Sequence, residues 1–186
     1  MSINNPITRP TQLCRPLICR PLGERYKKDL ESMWWSTNST RTPANKHEAA
    51  KMNKMFALRD KILAFGGHEV CMPLIEDDYF AIMNHGQFFY GDHAHLKKGL
   101  PNHCHCNAAQ FWAANKGRCQ ICTGYALSED GIWRQHSWVV QPLTRSWRIW
   151  ETTVKRIAYF GVIFDDAECE RFCELNEIGR ASCRER

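Results

Sequence analysis

The residues best placed to do chemistry are Cys104, His136 and Glu151, which follow one another along the chain in the order thiol, imidazole, carboxylate. The stretch NHCHCNAAQFWAANKG, residues 102–117, sets Cys104 just ahead of a helix-like apolar pattern. At about 100° per residue around a helix axis, Cys104, Ala108, Phe111, Trp112 and Asn115 share one inward face, and Cys106, about 200° away, points elsewhere. A thiol on the first helical turn sits where unpaired backbone N–H groups and the helix dipole favour thiolate, the nucleophilic form. Such a nucleophile needs a base within hydrogen-bond reach and a third group to orient that base. His136 in WRQHSWVV and Glu151 in RIWETT lie in successive strand-like runs joined by QPLTRSW, so a hairpin can set them side by side. His103, His105 and Cys106 are read as neighbours of this set, not members of it.

The same stretch supports a rival chemistry. Cys104-x-Cys106 and Cys119-x-x-Cys122 offer four thiols with twelve residues between the pairs, and His93, His95, His103 and His105 lie close in sequence. Thiolate and imidazole are the ligands zinc prefers, so a zinc-stabilised binding module is the alternative reading. Against it, the first pair is Cys-x-Cys, and both pairs fall inside segments patterned as helix or strand.

The pattern resembles the transglutaminase-like branch of the papain-like cysteine hydrolase superfamily. Its core motif is a Cys at the start of a helix, a Gly-Tyr strand, His-x-Trp on the next strand, then Asp-x-Thr. Here these are Cys104, Gly124-Tyr125, His136-Ser137-Trp138 and Glu151-Thr152-Thr153, over residues 102–153. The resemblance implies an α+β fold with a papain-like core, the helix bearing the Cys packed on an antiparallel sheet. It also implies hydrolysis or transfer of an amide or acyl group through a thioester, with Cys104 as nucleophile, His136 as base and then acid, and Glu151 as the orienting carboxylate. The Cys104 N–H with Gln87, or with Asn102 as second choice, would form the oxyanion hole, and Tyr125 and Trp138 would contact substrate. No metal or other cofactor is required. Glutamate in place of the family's aspartate carries the carboxylate one methylene farther out, and Asn102-His103 replaces the family's glycine-rich approach to the nucleophile. Members of this fold without the activity exist, which gives a third reading, a catalytically silent binding protein.

The elements that would position these residues are legible in outline. A helix is expected from Asn45 to about Phe65, ended by Gly66-Gly67, with an earlier short one around Tyr26 to Trp35. HEVCMPLI reads as a strand, and DDYFAIMNHGQFFYG as one or two strands or a strand and loop. After the Cys104 helix come GRCQICTGYALS, IWRQHSWVV and SWRIWETT as strands, with TVKRIAYFGVIF extending the last or adding another. DDAECERFCELN has a capping-type start and the spacing of a final helix. Cys71, Cys169 and Cys173 read as small buried hydrophobes.

One α+β domain is expected over residues 41–177. Residues 1–40 read as a mostly disordered basic arm, with Pro6, Pro10, Pro16 and Pro21 spaced to exclude a helix. The last nine residues, IGRASCRER, match the in-frame translation of a common sequencing-library adapter, so 178–186 is expected to be a non-native tail. Charge supports this division. The chain carries +5, but residues 1–28 hold six basic side chains against Glu24, and the tail three arginines against Glu185, which leaves the stretch between slightly acidic. A nucleic-acid partner is therefore not expected, and the natural partner is a peptide or small amide substrate. No run has the roughly 18 apolar residues of a membrane span, so no membrane partner and a cytoplasmic location are expected.

Overall fold

In a computed structural model the structure describes residues 46–71, 76–144 and 146–177. The arm, the short helix around Tyr26 to Trp35 and the adapter-like tail lie outside the described residues. In chain order the elements are α1 (Lys46–Leu63), β1 (Glu69–Val70), α2 (Glu76–His85), β2 (Gln87–Tyr90), β3 (His95–Leu96), α3 (Cys104–Ala114), β4 (Gln120–Leu127), β5 (Ile132–Pro142), β6 (Trp147–Glu151), β7 (Ala158–Ile163) and α4 (Asp166–Glu177). They form an α+β arrangement around one curled sheet, ordered β2-β7-β4-β5-β6-β3 with β1 also paired to β5. The sheet is mixed, not purely antiparallel: β1 with β5 and β3 with β6 run parallel, and the other pairs antiparallel.

One local expectation changes, and one alternative left open is decided. DDYFAIMNH is helical in α2, and only QFFY pairs as a strand. Acidic residues at its start favour a helix N-terminus, and Ile82 is buried with Leu58 and Ile62 of α1, so packing against that helix resolves an apolar run too short to decide by periodicity. TVKRIAYFGVIF forms a separate strand, β7, which crosses back to pair with both β4 and β2.

Strand alternation divides the core. One sheet face carries Ile121 and Val139, packed under Ala108 and Trp112 of α3 and Cys169 and Phe172 of α4. The same face farther along carries Tyr125, Leu127, Trp133 and Phe160 against Leu58 and Ile62 of α1 and Ile82 of α2. Each large side chain fully buried there contributes about 1.5–3 kcal/mol. The other face curls onto itself: Phe89, Cys122, Trp138, Val140, Ile149 and Tyr159 form a third cluster, with Trp138 and Tyr159 rings 5.0 Å apart.

Pairing leaves one gap that matters. One edge of β5 is taken by β4. On its other edge β1 covers Ile132 and Trp133, and β6 covers Val139 to Pro142. Between them, residues 134–138 have no strand partner on that edge among the described residues, and His136 is the middle one.

Candidate active site

The N-terminus of α3 meets β5 at this gap. Cys104 opens the helix and is hydrogen-bonded to His136 on β5 and to its own neighbour His105. The N-cap, His103, makes no side-chain cap hydrogen bond, so no side chain at that position takes up the N–H groups of the first turn.

His136 is 3% exposed and Glu151 0%, and the imidazole Nε2 lies 2.8 Å from Glu151 Oε2. With Nε2 on the carboxylate, Nδ1 is the nitrogen that addresses the thiol. The extra methylene of glutamate is absorbed locally. Oε1 folds back to accept the backbone N–H groups of Thr152 and Thr153, each at 2.8 Å, and the Thr153 hydroxyl at 2.9 Å. Oε2 takes a second donor, the Tyr159 hydroxyl, at 3.0 Å. Trp138 lies over the imidazole, with rings 6.2 Å apart and nearly parallel.

The electrostatics follow from these contacts. Burial alone would push the Cys104 thiol up, but the charge and hydrogen bond of His105, then those of His136, outweigh it and hold the thiol at about 4. Burial disfavours charge on His136, and the hydrogen bonds it gives to Cys104 and Glu151 overcome this and raise its pKa. Burial likewise opposes ionisation of Glu151, and the hydrogen bond and charge of His136 lower it. All three directions favour thiolate, imidazolium and carboxylate together. Four other thiols go the opposite way through burial: Cys71 up, Cys119 to about 11, Cys169 to about 12 and Cys122 well above the ordinary range.

The remaining sequence candidates fall as follows. Gln87 is exposed at the start of β2, in one row across the sheet with Gly161, Gly124 and His136, three strand spacings from the histidine. Asn102 is exposed in the turn before α3, with a left-handed φ of 59°, a conformation asparagine tolerates better than most residues. Tyr125 is buried on the helix-covered face among Leu58, Ile62 and Phe160. Trp138 is buried against His136 and Tyr159.

The zinc set is not assembled. Cys119 packs in the cluster under α3 and α4, whereas Cys122 is on the opposite sheet face with Trp138. The Cys106 thiol donates to the Asn176 carbonyl at 3.5 Å. Among the described residues no group of three or more His, Cys, Asp or Glu could hold a metal ion. Cys169 and Cys173 are buried as expected, and Cys71 is only half-buried.

Sequence reasoning missed His105 and Tyr159. His105 is not a bystander: besides Cys104 it bonds Ser137, Nδ1 to Oγ at 2.7 Å. A signal was available, because Ser137 faces Thr123, a polar residue on a β4 face that otherwise carries Ile121, Tyr125 and Leu127. Tyr159 carried no such signal, since its contact with Glu151 depends on where β7 re-enters the sheet.

A search of family models, of curated proteins and of solved structures finds no match to this chain.

Proposed function

We propose that the protein is a cysteine-dependent hydrolase or acyltransferase acting on an amide or peptide bond through a thioester, with a Cys104-His136-Glu151 triad on a papain-like, transglutaminase-like core. The observation that carries this reading is the connected set itself: a thiol at a helix N-terminus, bonded to an imidazole whose far nitrogen is bonded to a buried carboxylate. The direction of the thiol, opposite to that of Cys71, Cys119, Cys122 and Cys169, supports it.

In this mechanism the Cys104 sulfur attacks the carbonyl carbon, and the carbonyl π pair moves to oxygen. First-turn N–H groups of α3, with Asn102, are the donors for that oxyanion; Gln87, three strand spacings from His136, is too far away to join them. As the tetrahedral species collapses the C–N bond breaks, and His136 passes its Nδ1 proton to the departing amine. Water, or a second amine, then gives a proton to His136 as it adds to the thioester. The C–S bond breaks with its electron pair returning to sulfur. Glu151 stays ionised throughout and fixes the imidazole through Nε2.

Iodoacetamide labelling read by peptide mass spectrometry tests this. Cys104 is expected to label faster than Cys71, Cys119 and Cys169 at neutral pH, and His136→Ala to slow it. With the thiol at about 4, the rate should be level from about pH 5 upward and fall about tenfold per unit on the acid side of the midpoint. Labelling of Cys104 no faster than Cys71 would sink the reading. Fast labelling with no acyl-enzyme formed from any activated ester would leave the silent-fold reading in its place.

A further inference from the structure

His105 follows the nucleophile on α3, and its partners form an ordered relay. Its Nδ1 lies 2.7 Å from Ser137 Oγ, Ser137 Oγ donates to Thr123 Oγ1 at 2.9 Å, and Thr123 Oγ1 donates to the His136 carbonyl at 3.4 Å. Each hydroxyl has one proton to give, and the carbonyl can only accept. Once Thr123 and Ser137 have committed theirs toward the carbonyl, Ser137 can only accept from His105, so Nδ1 of His105 carries hydrogen. The ring is then neutral or cationic according to Nε2. Thr123 and Ser137 are both 0% exposed, so the relay is sealed from water, and the His105 ring is held on its other side by Phe172 of α4, 6.0 Å between centroids.

We propose that His105 is a second imidazole of the catalytic centre, cationic beside the Cys104 sulfur and held there by Ser137 and Thr123. This rests on the reading of Cys104 as nucleophile. Its role is to stabilise the sulfur anion of the free enzyme, alongside the His136 imidazolium, and again when the C–S bond breaks and the pair returns to sulfur. A cation that takes part in neither proton transfer is present at both. Thiolate and carboxylate against two imidazolium rings leave the centre with no net charge.

The groups facing this pair are few. From β5 come His136 and Ser137, from β6 Glu151 through His136, from β7 Tyr159 through Glu151, and from α4 Phe172 and the Asn176 carbonyl, which takes the Cys106 thiol. The Lys97 ammonium lies over the Phe111 ring, 5.1 Å from its centroid.

The test uses the full chain and iodoacetamide across pH. His105→Asn keeps a donor near Ser137 and removes the charge. Its labelling midpoint for Cys104 should rise by at least about one unit, with labelling at pH 5 at least about twofold slower and an unchanged circular dichroism spectrum. In the wild-type chain, alkylating Cys104 removes the anion, so the imidazole titration of His105 followed by NMR should move down. That second measurement stands if the variant does not fold. A midpoint unmoved in folded His105→Asn, or a His105 titration indifferent to alkylation, overturns this inference and leaves the triad intact. Wild-type Cys104 labelling no faster than Cys71 overturns both.

Discussion

Glu151 receives five hydrogen bonds on two oxygens, from Thr152 N, Thr153 N, Thr153 Oγ1, Tyr159 Oη and His136 Nε2. No water is needed to satisfy it, which explains how an ionised carboxylate is tolerated at full burial. Glu151→Ala would strip the imidazole of its partner and leave four other donors without an acceptor. We expect a loss of about 3–5 kcal/mol, measured as the shift in urea unfolding. The pH dependence has a definite sign. Glu151 is depressed in the folded state, so its contribution is present above its unfolded value and disappears as pH falls through the folded one. His136 is raised, so its contribution is present below its unfolded value and is lost as pH rises through the folded one. The difference in stability between wild type and Glu151→Ala should therefore be largest between about pH 4.3 and 6.5, and a difference constant from pH 3 to 9 would contradict this assignment.

Two helices matter most to the site. α3 presents Cys104 and is clamped to the preceding loop by Asn107, whose Oδ1 accepts Leu100 N–H at 3.1 Å while Nδ2 donates to Leu100 O at 2.8 Å. α4 braces α3 from behind through Phe172 and Cys173, the latter donating its thiol to Ala109 O at 3.5 Å. The start of α4 is a reciprocal capping box. Asp165 Oδ1 accepts Glu168 N–H at 2.8 Å, and Glu168 Oε2 accepts Asp165 N–H at 2.9 Å. Asp165→Ala should cost about 1 kcal/mol of stability and leave the Cys104 labelling rate unchanged, because the cap is remote from the thiol. A labelling rate that falls with the cap would mean that α4 sets the position of α3 more directly than the contacts indicate.

At the scale of the whole molecule, the site exists because the sheet curls. Gly161 on β7 faces Gly124 on β4, which in turn faces His136. A Cβ at Gly161 would strike the Thr123 carbonyl oxygen and come within 2.8 Å of the Trp138 ring. Gly161→Ala should therefore destabilise by about 1–3 kcal/mol and slow Cys104 labelling by displacing Trp138 from the imidazole. Destabilisation without any change in labelling would separate the curl from the site.

The sequence by itself determined the local terms: the helix that begins at Cys104, the stop at Gly66-Gly67, the capping box of α4, the strand runs and the order thiol, imidazole, carboxylate. These depend on side chains within a few residues of one another, through turn chemistry, capping and periodicity. Only the tertiary structure decided that DDYFAIMNH is a helix, since its short apolar run takes its conformation from α1. The tertiary structure also placed Tyr159 on Glu151, and Ser137 and Thr123 behind His105. Each of these follows from contacts between separate elements, and local pattern carries no information about which row of one element meets which row of another.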